Sequence, residues 1–420
     1  MIIEKIKNGV IDETLKKLYG EEKIPEQKER YIDAVGEFTK LYGDGEVEIF
    51  SAPGRSEIGG NHTDHQRGRV LAAAIDLDAI AICRKTSDNL ITIKSKGYDE
   101  FSVNLDNLEI SEKEFGTSPA LVRGIAAGLK NAGLKIGGFQ AYTTNNVLSG
   151  SGLSSSAAFE ILIGTILSGL YNDNSIDPVF LAKIGQMAEN KYFGKPCGLL
   201  DQMACSVGGI SNIDFADKDE VKIKKLDIDF NNYGHALCIV DTKGSHADLT
   251  DEYAAVPAEM RAVAKYFGKS VLSEVSKEEF YENITKIREE TGDRAVLRAM
   301  HWYSENERVD MEVEALEKGD FEEFKRVVKA SGDSSFKYLQ NVFATKKINE
   351  QGVSFGLAMS DEILKGKGVS RVHGGGFAGT IQGFVPLSMV DEYKSKMEKV
   401  FGEGACYVLK IRPCGGVKII

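Results

Sequence analysis

One stretch constrains this chain more than any other: Asn145-Asn146-Val147-Leu148-Ser149-Gly150-Ser151-Gly152-Leu153-Ser154-Ser155-Ser156-Ala157-Ala158, a glycine and serine loop that opens directly into an apolar run ending near Tyr171. Ala157 to Tyr171 is apolar on almost every face, which is the pattern of a buried helix, so the loop at its start is held in place. Before the loop, Gly138 to Thr144 alternates in side-chain character as a strand does. Gly150 and Gly152 let backbone approach a ligand without an intervening side chain, and three serines add hydroxyls to the free amides of a helix start. This is a cradle for an anion, and a phosphate chain fits it. A Walker A loop is excluded, because no lysine followed by Ser or Thr stands after the last glycine. A flexible linker is the bland alternative, but such linkers do not ordinarily run straight into a buried helix.

The 420 residues suffice for two domains or one large one. A net charge of −11 argues against a nucleic-acid or anionic-membrane partner, since phosphate backbones are repelled on average. Cys83, Cys197, Cys205, Cys238, Cys406 and Cys414 show no metal-ligand spacing and read as free thiols of a reducing cytosol. The first residues carry charge and no apolar stretch long enough for a signal sequence, and no uncharged apolar run suits a membrane span. A cytoplasmic protein that acts on small molecules is the expectation.

Along the chain, residues 1–45 read as a helical cap. From Val47 the pattern becomes strand-like, with period-two alternation at Asp78–Cys83, Leu90–Ile93 and Phe101–Val103. A helix follows with Ser118 as its cap, Pro119 in its first turn and Gly133 beyond its end. A second helix is predicted over Pro178–Tyr192, with strands near Gly209–Asp214 and His235–Asp241. From about Asp248 to Val342 the chain is mostly helical. It closes with a strand at Thr380–Val385, a helix from a Ser388 cap to Phe401, and a strand at Cys406–Ile411. The predicted division into domains is 1–217, including the helical extension 1–45, and 218–420.

A second constellation, Pro53 to His65, packs one Arg, two His, two acids and an Asn into a Gly-rich turn after a strand. That density of polar groups points to a ligand. A solvated loop is the plain alternative. A zinc site using His62, Asp64 and His65 is the other, although the spacing is irregular and no cysteine is present.

Gly152-Leu153-Ser154-Ser155-Ser156-Ala157 closely resembles the phosphate-binding motif of the GHMP kinases in the form it takes in galactokinases. Residues 54–65 resemble the galactokinase signature: Gly54, Arg55, Gly60, His62, Thr63 and Asp64 are kept, and Glu57, Gly59, Asn61 and His65 depart from it. In the family's order come Ala188-Glu189, Gly198-Leu199-Leu200-Asp201-Gln202, the segment His246 to Tyr253, a helical block at His301–Val309, and Arg371 to Gly379 as a third glycine motif. On these blocks the chain is identified as a galactokinase-like member of the GHMP kinases.

The resemblance implies an α+β fold of two lobes. The N-terminal lobe is sheet-rich, the C-terminal lobe is helix-rich α+β, the active site lies in the cleft between them, and the last strands return to the first lobe. It implies ATP as co-substrate with Mg²⁺. Gly150, Ser151, Gly152, Leu153, Ser154, Ser155 and Ser156 would hold the phosphates, and Ser156 and Glu189 the metal. Asp201 matches the catalytic aspartate facing the sugar's anomeric hydroxyl, and Arg55 the stabilising arginine. Asn61, His62, Thr63, Asp64 and Tyr253 match sugar-binding positions. Each has a plainer reading when taken alone: Asp201 as a helix-start acid, Glu189 as a solvated helix face, His62 as a hydrogen-bonded loop residue, Tyr253 as core. His373-Gly374-Gly375-Gly376 would close the site from the second lobe, or form a tight turn between strands.

Galactose is the expected substrate, with galacturonate or another galactose-like sugar as the alternative. A neutral Asn61 in place of an acid lifts a repulsion against a carboxylate, Glu57 puts a negative charge back, and the retained His62, Asp64 and Tyr253 favour galactose. A catalytically silent sugar sensor is the reading from another class. The presence together of Arg55, Ser156, Glu189 and Asp201 argues for an enzyme.

Overall fold

The computed structural model describes residues 2–147, 152–217, 220–245 and 248–420. Two sheets organise them. The strands are β1 (Glu48–Gly59), β2 (Arg69–Lys85), β3 (Leu90–Ser95), β4 (Phe101–Asn104), β5 (Phe139–Asn145), β6 (Ile210–Asp214), β7 (Lys222–Leu226), β8 (His235–Asp241), β9 (Val369–His373), β10 (Thr380–Pro386), β11 (Cys406–Leu409) and β12 (Val417–Lys418). The first sheet has the order β12-β1-β2-β5-β3-β4, with β6 and β7 continuing from the far part of the long strand β2. The second is β11-β8-β10-β9, antiparallel throughout.

Period-two alternation decides what covers each face of the first sheet. Ala79, Ala81 and Cys83 of β2 face the buried helices Ser118–Asn131 and Ser155–Tyr171 in a core with Phe50, Val122, Ile125, Phe139, Ile161 and Ile166. The intervening Ile80 and Ile82 face the other way, with Ile49 and Tyr142, onto Leu15, Tyr19, Tyr31, Val35 and Phe38 of the N-terminal helices. The predicted helical cap over residues 1–45 is therefore a full layer of the molecule. In the second sheet Leu237 and Ile239 of β8 pack with Ile58, Leu71, Ala73 and Ile75 of the first, so one core is shared across the two sheets. Ala236, Cys238 and Val240 on the opposite face meet the helices Gly352–Leu364 and Val390–Phe401.

The chain returns to the first sheet at its far end. β12 pairs with the edge of β1, Phe50 opposite Lys418. Just before it, the fully buried Arg412 donates to Asp78 Oδ2 at 3.1 Å, to Ser51 Oγ at 2.7 Å, and to the carbonyls of Cys414 and Gly415 at 3.0 and 2.9 Å. Asp78 also accepts from Tyr19 at 2.5 Å and Arg30 at 2.6 Å, so one carboxylate joins the N-terminal helices, β1, β2 and the returning segment.

Several boundaries differ from the sequence reading. The helix expected to be capped by Ser118 starts at Ser118 itself, after an extended Thr117. The helix expected over Pro178–Tyr192 is α-helical only to Met187 and then widens into a π-helical turn, Ala188–Phe193. Ser388 lies in a 3₁₀ turn, and the helix begins at Val390. Residue 217, where the sequence suggests a division, lies in the turn of the β6–β7 hairpin, and the first sheet runs on to Leu226. The polar turn reads like a linker because the short strand after it is mostly exposed. Among the described residues no helix is long and apolar enough to cross a membrane.

Candidate active site

The site is assembled on β1 and on the helix start that faces it. β1 is irregular between Pro53 and Arg55, and there it lies against the glycine loop: Arg55 N–H donates to the Leu153 carbonyl at 3.1 Å. Gly54 is required at this approach, since a Cβ on it would stand 2.8 Å from that carbonyl oxygen. Gly152 and Ser154 both have positive φ, 70° and 61°, which turns the chain into the buried helix at Ser155. Across the loop, Asn145 Nδ2 donates to Ser155 Oγ at 2.8 Å and Asn145 Oδ1 accepts from Val147 N at 2.8 Å, which pins both ends. Gly150 and Ser151 lie outside the described residues.

Arg55 is the centre of the polar network. Its Nε and Nη2 reach Asp201 Oδ1 at 2.8 and 2.7 Å, and its Nη1 donates to the Gly152 carbonyl. Asp201 stands in the first turn of the helix Leu200–Val207, and its Oδ2 accepts from Ser154 Oγ at 2.5 Å. The guanidinium is nearly enclosed, whereas the Asp201 side chain keeps 37% of its surface open. Desolvation by itself would raise the Asp201 carboxyl; the charge of Arg55 and the bonds from Ser154 and Arg55 outweigh it and hold the group below the usual carboxylate range. It is a fixed anion at neutral pH with open surface, a group that orients or accepts a proton.

In the first turn of the buried helix, Ser156 Oγ donates to Glu189 Oε1 at 3.4 Å. Glu189 lies on the π-helical turn, is buried, and is also approached by Lys195 Nζ at 3.5 Å. Two hard oxygen donors at a helix start are the kind of set that could hold Mg²⁺, which keeps several waters and takes one or two protein ligands. Among the described residues no group of three or more His, Cys, Asp and Glu is gathered to hold an ion.

The sugar-side residues of the sequence reading divide into two sets. Asp64 lies against the segment that leads into Asp201: its carboxylate sits on Gly198, where a Cβ would stand 1.8 Å from Oδ2. Asn61, His62 and Tyr253 instead address three successive carbonyls of the third glycine motif. Asn61 Nδ2 donates to Gly374 at 2.7 Å, His62 Nε2 to Gly375 at 3.0 Å, and Tyr253 Oη to Gly376 at 2.9 Å. Burial lowers the His62 imidazolium to about 3, so the ring is neutral with its proton on Nε2. Asn61 is fully buried and also meets Glu57, Ser335 and Asn341. Thr63 is fully buried, with its hydroxyl donating to the backbone at Gly60 and Arg69.

The departures from the galactokinase signature fit one another. Glu57 pairs with the buried Arg371 at 2.8 Å and accepts from Asn61 at 2.9 Å, so an acid at 61 would face an acid at 57. Gly59 leaves space for Glu312, whose Oε2 would lie 1.7 Å from a Cβ there. His373 bridges the lobes: its Nε2 faces the Glu57 N–H at 3.3 Å and Ser56 Oγ at 3.1 Å, and its Nδ1 faces Thr380 Oγ1 at 3.0 Å. The backbone donor at Glu57 leaves Nε2 as the acceptor and the proton on Nδ1. Gly374 lies opposite Gly152, a Cβ on it being 3.8 Å from the Gly152 carbonyl, so the third motif does reach the phosphate loop.

Sequence reasoning passed over Glu160, Gln202, Lys195 and His373 as functional side chains. Glu160 had a visible signal, a lone acid in an apolar helix one turn beyond Ser156. His373 had none, because its partners Ser56 and Glu57 lie on β1, whereas the partner of Lys195, Glu189, is only six residues away.

Two family models match. Residues 36–85 carry the galactokinase galactose-binding signature and residues 120–209 the GHMP kinases N terminal domain. A galactokinase of Clostridium tetani is 30% identical over 373 residues, 87% of this chain and 91% of the relative. One of Lactobacillus helveticus is 31% identical over 371 residues, 86% and 91% of the two chains. Among solved structures, Lactococcus lactis galactokinase complexed with galactose superposes with a TM-score of 0.78 at 26% identity, covering 92% of this chain and all of that one. The mevalonate kinase of Methanococcus jannaschii, at 18% identity and a TM-score of 0.61, shares the fold. With the fold, the ordered motifs and relatives matched over nine-tenths of their length in agreement, the chain belongs to the galactokinase family of the GHMP kinases.

Proposed function

We propose that this kinase transfers the γ-phosphoryl group of ATP to the anomeric hydroxyl of galactose, giving galactose 1-phosphate. The observation that carries the reading is the chain of contacts Gly152 carbonyl, Arg55, Asp201, Ser154, which sets a fixed cation and a half-open carboxylate beside a helix start built for phosphate. Phosphoryl transfer goes through a loose transition state, so the protein's task is positioning and charge compensation. The amides of Gly152 to Ser156 and the helix start hold the phosphates. Asp201 accepts or orients the proton of the attacking hydroxyl, and Arg55 keeps Asp201 ionised while offsetting charge on the phosphoryl oxygens. Ser156 and Glu189 hold Mg²⁺, which when bound neutralises phosphate charge. Asp64, beside the segment that carries Asp201, holds ring hydroxyls of the sugar.

Galactose is preferred over galacturonate on charge. A further carboxylate would add negative charge beside Asp201 and the Asp64 that packs on Gly198, and the buried Arg55 and Arg371 are already paired, with Asp201 and Glu57. The test is a phosphorylation panel of galactose, galacturonate, N-acetylgalactosamine, glucose and arabinose, with product position read by phosphorus NMR. Galactose is expected to give the highest kcat/KM with phosphate on C1. A galacturonate kcat/KM above that of galactose would overturn the substrate, and binding of ATP with no turnover of any sugar would overturn the activity. Ser156→Ala is expected to raise the Mg²⁺ concentration needed for half-maximal rate several-fold; an unchanged Mg²⁺ dependence would remove Ser156 from the metal site.

A further inference from the structure

Glu160 is the one acid on the apolar helix Ser155–Tyr171, and it is fully buried. It stands four residues beyond Ser156 and so on the same face. Its Oε2 accepts from Gln202 Nε2 at 3.0 Å, and the same nitrogen donates to Glu189 Oε2 at 2.7 Å. An amide NH₂ has two hydrogens, and each has one carboxyl oxygen here. The reversed amide would set an oxygen against both acids, so the donor orientation is fixed by its partners.

The neighbouring helix is shaped around this pair. A Cβ at Gly185 would lie 3.0 Å from Glu160 Oε2 and 3.0 Å from Gln202 Cγ, and the glycine leaves the space in which they meet. The arrangement also costs stability, because Glu160 Oε1 and Gln202 Oε1 are both buried without a hydrogen-bond partner among the described residues. An apolar pair of the same size would avoid that cost. What it could not do is grip Glu189. With Oε2 held by Gln202, Oε1 is the oxygen left facing Ser156 Oγ at 3.4 Å.

We propose that Gln202 is a positioning residue for phosphoryl transfer: anchored by Glu160, it holds one oxygen of Glu189 so that the other is aimed, with the Ser156 hydroxyl, at the cation of the nucleotide. The proposal rests on the reading of Ser156 and Glu189 as the cation's ligands. Gln202 touches neither nucleotide nor sugar in this scheme and acts through Glu189. Partners of this kind, one step out from a metal, typically change metal affinity by about 10–100-fold when removed.

The experiment titrates Mn²⁺ by electron paramagnetic resonance into the full-length enzyme with a non-hydrolysable ATP analogue, for the wild type and for Glu189→Ala, Gln202→Met, Glu160→Ala and Glu160→Gln. Thermal melts establish that each is folded, and the Mg²⁺ activation of turnover is measured beside the KM for sugar. Gln202→Met and Glu160→Ala are expected to weaken Mn²⁺ binding about 10-fold or more and to raise the Mg²⁺ requirement in step, with the sugar KM unchanged. Glu160→Gln keeps an oxygen that can accept from Gln202, and its Mn²⁺ affinity is expected to stay near that of the wild type. Folded Gln202→Met with wild-type Mn²⁺ affinity overturns the proposal. Should Gln202→Met fail to fold, equal Mn²⁺ affinities of Glu160→Ala and Glu160→Gln overturn it instead. If Glu189→Ala itself binds Mn²⁺ normally, the assignment of the cation's ligands has failed and takes this proposal with it, whereas a weakened Glu189→Ala beside a normal Gln202→Met isolates the failure to Gln202.

Discussion

Turnover of Asp201→Ala is expected to fall by a factor on the order of 10²–10⁴, the range for a positioned acid–base group. ATP affinity is expected to change little, because the helix start and the loop amides hold the phosphates without Asp201. The argument is geometric before it is electrostatic. Arg55 takes one oxygen of Asp201 and Ser154 the other, so the carboxylate cannot rotate away from the open side of the site. Asp201→Asn is the sharper companion variant. It preserves the shape, an oxygen for Arg55 and a partner for the Ser154 hydroxyl, which can accept as well as donate, but its amide carries no charge and cannot take up a proton. Both variants are read by coupled ADP release and by titration of ATP affinity. Near-normal turnover of either removes Asp201 from the chemistry. Because Arg55 holds the Asp201 carboxyl below its usual range, any loss of rate between pH 8 and 5 belongs to another group.

The second large effect is on stability. Arg412→Ala is expected to cost about 3–5 kcal/mol, as removal of one partner of a buried ion pair does, because it leaves an enclosed carboxylate short of one of its two counter-charges. Asp78 has no exposed surface, and it would retain only Arg30, Tyr19 and Ser51. Arg412 also satisfies the Cys414 and Gly415 carbonyls, which the variant would orphan. Chemical denaturation monitored by circular dichroism measures it, and a cost below about 1 kcal/mol, the level of an exposed pair, would show that the junction is not a stabilising one. The pH dependence follows. Burial pushes the Asp78 carboxyl up, but Arg30 and Arg412 with Ser51 and Tyr19 bring it below the ordinary value of 3.8. A depressed folded value means that its contribution is present above the unfolded pKa and is lost as pH falls through the folded one. Acid below about pH 4 should therefore weaken the wild type more than Asp78→Asn.

The motifs that lie close together in sequence were legible from the residues. The glycine loop followed by an almost wholly apolar helix reads as an anion cradle, and the resemblance of residues 54–65 to a known signature supplied expected roles for Arg55 and its neighbours. What the sequence could not carry was direction. Asn61 and Thr63 are polar residues in a Gly-rich turn, and nothing local says that both point inward, Asn61 to the third glycine motif and Thr63 to the turn's own backbone. That orientation is set by Glu57, Arg371, Asn341 and Gly374, which come together only in the folded chain. The widening of the helix at Ala188–Phe193 was equally invisible, since Glu189 is in phase with the helix before it. Such π-helical turns recur at functional positions, and here the turn carries Glu189 to Ser156.

The short strand β12 has a bearing on how the molecule is made. Its partner on β1 is Phe50, and the two are separated by almost the whole chain. A ribosome delivers β1 long before residues 410–418, so during synthesis the outer edge of the first sheet is bare and Asp78 lacks Arg412, one of its two cations. An open strand edge invites pairing with other chains until something covers it. The first lobe therefore cannot be completed ahead of the second in the usual domain-by-domain order. Its final strand arrives only after the second lobe has been made, and the nascent protein carries an unfinished sheet until residues 410–418 have been translated.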